Sequence, residues 1–167
     1  MKWIGHNKRP VYESREFSVA INDDIILLKK FDFFNKMTPE QLRLLIFGAE
    51  RQEFASGEMI FKEGELAESA YVVLSGTVNL YRQNNNSGQP IDIINRNALI
   101  NELALVTEIN RPFTAIAQSN SKVLEIKRTV FLRLIKEFPD ITRYIYDYVN
   151  DRIHELANNI NRMPELK

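Results

Sequence analysis

Residues 99–117 read LINELALVTEINRPFTAIA. The pattern predicts an apolar helical turn that begins at the acid Glu102, a polar turn that carries Arg111, and a strand that starts at Pro112. A helix start presents backbone N–H groups to an anion, a guanidinium pairs well with a phosphate, and a carboxylate accepts a hydrogen bond from a hydroxyl. The segment therefore indicates a site for a phosphate ester of a sugar. The same spacing also fits a surface Arg–Glu pair on an ordinary strand–helix–strand connection.

The composition is that of an ordinary globular protein. The chain has 167 residues, of which 44% are hydrophobic and 26% charged, and this size favours one domain. Its 22 basic and 22 acidic residues cancel, so the overall charge gives no reason to expect a nucleic-acid partner. The chain has no cysteine, and its two histidines, His6 and His154, fall outside the predicted strands. We therefore expect no metal site, no catalytic residue and no enzymatic activity.

Two further features concern location. No run approaches the roughly 18 apolar residues of a membrane span. The first ten residues, MKWIGHNKRP, lack the apolar segment of a secretory signal. The sequence thus predicts a cytoplasmic protein without membrane association.

The N-terminal third reads as helical. Residues 1–22 are polar and mixed and are predicted to form an arm, and a helix is predicted over residues 25–30 after the acids Asp23 and Asp24. Thr38 is a strong N-cap because Pro39 follows it and Gln41 stands at the capping-box position. This second helix should end near residues 48–50.

Residues 51–128 change to short extended pieces separated by turns that glycine or asparagine marks. Strands are predicted at 51–55, 59–62, 70–74, 77–83, 91–95 and 122–127. Many short strands at this spacing indicate a sandwich or a barrel, which the helix-like stretch 99–106 interrupts.

The C-terminal part reads as two helices. The first is predicted over 130–138 with Thr129 as its cap, and the second over 141–162 with Asp140 as its cap. The apolar positions of the long helix form a seam close to a heptad repeat: Ile145, Val149, Ile153, Leu156, Ile160 and Met163. The seam either packs on the barrel or pairs with a second copy of the chain, and we expect a homodimer because a barrel covers only part of so long a helix.

The order of these elements, the turns Ser56-Gly57-Glu58 and Leu74-Ser75-Gly76-Thr77-Val78, and the spacing from Asn101-Glu102-Leu103-Ala104-Leu105 to Arg111 together carry a resemblance. Residues 23–160 resemble a cyclic nucleotide-binding domain, the regulatory module of catabolite-activator-type regulators, kinase regulatory subunits and gated channels. The resemblance implies a mainly β fold: a β-roll of the double-stranded β-helix or jelly-roll type over about 51–128, with N-terminal helices and a long C-terminal helix, in a domain spanning 23–163.

The resemblance also implies a ligand and a site. The ligand would be cAMP or cGMP, held by the phosphate-binding cassette that residues 99–113 resemble. Glu102 would accept a hydrogen bond from the ribose 2′-hydroxyl, Arg111 would pair with the cyclic phosphate, and the C-terminal helices would transmit the signal. The remaining positions to which the resemblance assigns ligand contacts are Val72, Leu74, Asn101, Leu103, Ala104 and Thr114.

Four residues depart from the family pattern. Asn97 and Asn101 replace glycines, and asparagine tolerates the left-handed conformation that such turns need. Pro112 stands where the family has a small residue whose N–H reaches the phosphate, and proline has no N–H. Losing that bond would cost on the order of 1.5–3 kcal/mol, and Phe113 is bulkier than the usual alanine.

Other functions compete with the sensor. A degenerate roll acting as a structural dimerisation or protein-interaction module without nucleotide is the main alternative. Direct DNA binding is not expected, because the sequence ends at Lys167 without a recognition helix after the long helix, so any action on DNA would need a protein partner. A cupin-like enzyme would need metal ligands on the strands, where the sequence has no histidine.

Overall fold

The structure of the chain is a computed structural model that describes residues 11–84 and 88–161. Within these residues the helices and strands are, in chain order, α1 (Val11–Leu28), α2 (Pro39–Gly48), β1 (Glu50–Phe54), β2 (Met59–Phe61), β3 (Leu66–Ala67), β4 (Ser69–Ser75), β5 (Thr77–Tyr81), β6 (Asp92–Asn95), β7 (Ala98–Ile100), a 3₁₀ helix (Glu102–Leu105), β8 (Ile109–Asn110), β9 (Thr114–Ala117), β10 (Ser121–Lys127), α3 (Arg128–Glu137) and α4 (Pro139–Asn161).

The strands form a roll of two antiparallel sheets. One sheet has the order β1-β10-β4-β7 and the other β2-β9-β5-β6, and the short pair β3-β8 lies beside them. The interior of the roll is an apolar cluster of Phe61, Tyr71, Val73, Val78, Leu80, Ile100, Ala115 and Val123. The predicted class, a mainly β roll with flanking helices and a long C-terminal helix, is confirmed.

The helices cover the outer face of the first sheet. Val72, Leu124 and Ile126 of that sheet are fully or almost fully buried and belong to a second core that the helices share. Aromatic rings dominate this core: Phe33 packs edge-on against Phe34 at 4.9 Å between ring centres. Burial of such large side chains is the main source of stability of a helix layer on a sheet.

The predicted start of α2 is confirmed. The Thr38 hydroxyl accepts a hydrogen bond from the Gln41 N–H at 3.2 Å, and the Gln41 side chain accepts one from the Thr38 N–H at 2.8 Å. This reciprocal pair is the capping box that the sequence indicated.

The N-terminal helix starts much earlier than predicted. Residues 11–22, assigned to an arm, belong to α1, which runs on to Leu28, whereas residues 1–10 lie outside the described part of the chain. Ile21, Ile25 and Leu28 are buried at helical spacing, and this packing overrides the weak local pattern. The acid Asp24, read as a helix start, lies inside α1, and its carboxylate pairs with Arg51 of β1.

The C-terminal helices also begin earlier than predicted. Arg128, which directly follows β10, opens α3, so Thr129 lies within the helix and caps nothing. Pro139 opens α4, so Asp140 stands in the first turn rather than at the cap. The chain passes from β10 into α3 without an intervening turn, and at this junction the Arg128 N–H donates to the Glu68 carbonyl at 2.8 Å.

The seam of α4 divides between two environments. Ile145 is buried, and Val149 packs partly buried against the helical core. Ile153 is 56% exposed. Leu156, Ile160 and Met163, the remaining positions of the seam, lie beyond the side chains that the structure describes. In the described residues, no helix has the length and apolar character that crossing a membrane requires.

Candidate functional site

Two left-handed asparagines shape the segment between β6 and β9, residues 97–113, which we call the cassette. Asn97 has φ 64° and Asn101 has φ 61°, so both residues adopt the conformation for which the family uses glycine. Leu99, predicted to be helical, lies in strand β7, and the helical turn is confined to Glu102–Leu105. The turns therefore survive the substitution of glycine by asparagine.

The Glu102 carboxylate is bound by the C-terminal helix. Its Oε1 accepts a hydrogen bond from the Tyr148 hydroxyl at 3.1 Å and lies 3.7 Å from Nη2 of Arg152. Burial, together with the charge of Glu102, raises the pKa of Tyr148 to about 12, so this hydroxyl stays protonated and able to donate at neutral pH. Tyr148 and Arg152 were not predicted as site residues, although their spacing of four residues places them on one face of α4.

Arg111 turns away from Glu102 and into the roll. Its side chain is buried, Nη1 donates to the Ser69 carbonyl at 2.8 Å, and Nη2 contacts the Ser69 hydroxyl at 3.3 Å. The guanidinium lies 4.3 Å from the centre of the Phe61 ring and 5.2 Å from that of Tyr71. Burial lowers the pKa of Arg111, while the neighbouring Tyr71 and Glu125 act in the opposite direction.

A buried polar network surrounds the guanidinium. Glu125 Oε1 accepts from the Ser69 hydroxyl at 2.7 Å and from the Tyr71 hydroxyl at 3.2 Å. Glu125 Oε2 accepts from Nε2 of Gln52 at 2.5 Å. Together with Arg111, the side chains of Ser69, Tyr71 and Glu125 line a cavity of about 310 Å³, which we call the Arg111 cavity. No local sequence pattern predicts this network, since its members are up to 73 residues apart.

A different cavity lies beneath the cassette. This cassette cavity has a volume of about 330 Å³. Its polar lining residues are Asp92, Asn101 and Glu102. Its apolar lining residues are Leu80, Ile94, Leu99, Ile100, Leu103, Ile109, Pro112 and Phe113. The lining contains two carboxylates and no basic side chain.

Two aromatic rings separate the cavities. Phe61 lines the Arg111 cavity, Phe113 lines the cassette cavity, and their ring centres are 5.8 Å apart. The two side chains predicted to hold one ligand, Glu102 and Arg111, therefore line different cavities. Their convergence on one phosphate ester stays a prediction, which requires Arg111 to leave the cavity that it lines here.

The other predicted contact residues divide in the same way. Asn101 and Leu103 line the cassette cavity. Ala104 is fully buried, and its N–H donates to the Asn101 carbonyl at 3.0 Å, so this N–H is already used within the cassette. The Thr114 hydroxyl accepts from the Glu63 N–H at 2.9 Å and does not line the cassette cavity.

Val72 and Leu74 face the wrong side of their strand for ligand contact. Both pack against the helical core, whereas Tyr71 and Val73 point into the roll. Successive side chains of a strand alternate between its faces, so the predicted contacts were placed one residue out of phase. Among the described residues, no group of His, Asp or Glu side chains is arranged to hold a metal ion.

The comparison with known families rests on the whole roll and the first C-terminal helix. The model of the cyclic nucleotide-binding domain matches residues 51–138, which is more than half of the chain. The chain belongs to the cyclic nucleotide-binding domain family. A solved structure of a cyclic nucleotide-binding-like protein from Brucella abortus is 36% identical, covers 68% of this chain and 98% of its own, and superposes with a TM-score of 0.64.

Curated relatives of this family member are larger proteins. The cyclic AMP receptor protein of Thermus thermophilus is 26% identical over 129 residues, which are 77% of this chain and 60% of the relative. Lysophospholipase NTE1 of Chaetomium globosum is 27% identical over 144 residues, which are 86% of this chain and 10% of the relative. The chain thus spans about a tenth of the length of the lysophospholipases that it matches.

Proposed function

We propose that this family member is a non-catalytic regulatory module in which the cassette and α4 work as one switch. The observation that carries the proposal is the hydrogen bond from Tyr148 of α4 to the Glu102 carboxylate of the cassette, 3.1 Å long. Arg152, 3.7 Å from the same carboxylate, adds a second link. A ligand that engages or displaces Glu102 competes with both links and changes how α4 docks.

We further propose that the module does not depend on cyclic nucleotide for its regulatory interactions. Arg111 is only 5% exposed and donates to Ser69, so it would have to leave that site to meet a phosphate in the cassette cavity. Pro112 contributes no N–H, and Phe113 packs against Phe61 where the two cavities adjoin. In this proposal the partner is another protein, or a second copy of the chain, which reads the position of α4.

Sensing of cAMP or cGMP is the second candidate. Family membership favours it, as do the names of two relatives, a cyclic AMP receptor protein and a cGMP-dependent protein kinase. The left-handed Asn97 and Asn101 and the position of Glu102 are compatible with it. It requires Arg111 to leave Ser69, which the first proposal does not.

Hydrogen exchange tests the switch. In the Glu102→Ala variant we expect faster amide exchange over residues 141–155 than in wild type, because α4 loses both links to the cassette. Glu108→Ala removes an exposed acid from the adjacent turn and should leave α4 unchanged. Equal exchange in both variants would refute the coupling.

Calorimetric titration with cAMP and cGMP at millimolar concentration separates the two candidates. The first proposal expects no saturable heat from wild type. Saturable binding that Arg111→Ala abolishes, in a variant that remains folded, would establish the sensor instead.

We propose that the module works in the cytoplasm, which the absence of cysteine supports.

A further inference from the structure

We propose that two copies of the chain pack face to face, at high protein concentration, through the outer surface of the second sheet, β2-β9-β5-β6. We call this surface the bare face. The core that the described helices share includes residues of the first sheet and none of the second. The inference goes beyond the proposed switch, which involves the cassette and α4 and no residue of the bare face.

The alternation of side chains along the strands decides which residues form the bare face. In β5, Val78 and Leu80 are buried inside the roll. Thr77, Asn79 and Tyr81 therefore point outward. The pairing of β5 with β9 and β6 carries this alternation across the sheet. The outward positions of the four strands are Met59, Thr77, Asn79, Tyr81, Ile93, Asn95, Thr114 and Ile116.

A largely apolar row crosses the bare face at right angles to the strands. Ile116 of β9 lies beside Met59 of β2 on one side and beside Asn79 of β5 on the other. Ile93 of β6 follows Asn79 and completes the row. Met59 and Ile93, at its two ends, are 52% and 50% exposed. A partner that covers this row removes large apolar side chains from water, which favours association.

The bare face carries no charge. None of its eight outward positions is Asp, Glu, Lys, Arg or His, in a chain of which 26% of the residues are charged. Charged residues are depleted from the centre of protein–protein interfaces, because burying an unpaired charge is costly. A partner or a membrane surface that binds through its charge finds no counter-charge on this face.

A second copy of the chain fits these properties. It offers the same uncharged face, so the contact buries no charge and opposes no like charges. Two-fold symmetry makes such a contact self-complementary. With the axis either along the strands or along the row, each apolar end of the row, Met59 or Ile93, meets an apolar end of the other row. Two sheets pack face to face in this way in β-sandwiches.

The size of the bare face sets the strength of the pairing. Strands about 4.8 Å apart, each of about four residues at about 3.4 Å per residue, give this four-stranded sheet a footprint of about 300 Å². A stable complex buries about 800 Å² on each partner. We therefore expect a weak dimer with a dissociation constant of about 0.5 mM, and no pairing through this face at about 0.02 mM or below.

Sedimentation equilibrium of the Ile153→Asp variant tests the pairing. That substitution places a charge on the exposed face of α4 and so keeps contacts through α4 out of the measurement. Between about 0.02 and 1 mM protein we expect the mean mass to rise by about 1.5-fold, as a dissociation constant of about 0.5 mM requires. A mass that does not rise over this range would overturn the proposal.

Further substitutions in the Ile153→Asp protein locate the contact. Ile93→Asp and Met59→Asp place a charge at either end of the row, and each should weaken the association at least about tenfold. Leu44→Asp is the matched control, because this leucine is 44% exposed on α2, and it should leave the association unchanged. All three positions are exposed, and circular dichroism checks that the variants are folded. Association that persists in both row variants would overturn the proposal.

The dependence on salt gives an independent test. Raising sodium chloride from about 0.05 to 0.5 M should change the dissociation constant by less than about twofold, because an uncharged contact has no ion pairs for salt to screen. An association that weakens tenfold or more over this range would be ionic and would overturn the assignment to the bare face.

Discussion

The Arg111 guanidinium lies 4.3 Å from the centre of the Phe61 ring and lines a different cavity from the one that Phe113 and the cassette line. A cation above an aromatic face is favourable, and two donors to Ser69 add to it. The residue that the family resemblance assigned to phosphate recognition thus serves in this structure to hold β8 against the start of β4.

This relationship predicts a stability effect for Arg111→Ala. Loss of a buried charged donor and its aromatic contact should lower the free energy of unfolding by about 2 kcal/mol. Arg43→Ala, which removes an exposed arginine from α2, should change it by less than about 0.5 kcal/mol. Urea denaturation at neutral pH measures both. An Arg111→Ala protein as stable as wild type would show that the guanidinium has no structural role.

The link between Tyr148 and Glu102 predicts a pH dependence. The pKa of Tyr148 is raised from 10.0 to about 12 in the folded protein, so the stability from its hydroxyl is fully present below about pH 10 and is lost as the pH rises through about 12. The stability advantage of wild type over Tyr148→Phe should therefore shrink between pH 10 and 12.

Urea denaturation of both proteins between pH 8 and 12 gives this difference. Burial also raises the pKa of Tyr71 and Tyr144, but both residues are present in wild type and variant, so their effects cancel. Tyr146→Phe, at a tyrosine that is 68% exposed, is the control and should follow wild type at every pH. A difference between wild type and Tyr148→Phe that stays constant through pH 12 would contradict the assignment.

The sequence predicted the features that depend on local chemistry. The capping box at Thr38, the glycine turns and the tolerance of Asn97 and Asn101 for positive φ follow from residues within a few positions of one another. The direction in which the Arg111 side chain points does not follow from nearby residues. Its partner Ser69 is 42 residues away and competes with any ligand for the same guanidinium donors.

The sequence also could not predict which residues of β4 face the interior of the roll. Residues 69–73 of this strand are all buried, since the roll covers one face and the helices cover the other. A strand buried on both faces has no alternation of polar and apolar residues, so nothing distinguished Val72 from Tyr71 or Val73 as the residue that faces the interior.

The left-handed backbone at Asn97 predicts a difference between two substitutions. Asn97 is exposed, so a change of its side chain acts mainly through the backbone. Asn97→Ala should lower the free energy of unfolding by about 1 kcal/mol because alanine is strained at φ 64°, and Asn97→Gly should be neutral or slightly stabilising. Thermal denaturation of both variants checks this order of stability. An Asn97→Ala variant that is more stable than Asn97→Gly would contradict the positive φ.

The exposed face of α4 predicts self-association. Tyr146 and Ile153 are 68% and 56% exposed and seven residues apart, so they lie on one face of the helix. We expect wild type to sediment as a dimer, because a second copy of α4 would cover this face, and Ile153→Asp to sediment as a monomer. Thr142→Asp places the same charge at an exposed position near the start of α4 and should remain dimeric. Sedimentation velocity over a range of concentrations measures the mass of each protein. A wild type that stays monomeric at every concentration would refute pairing through this face, and so would an Ile153→Asp variant with the same mass as wild type.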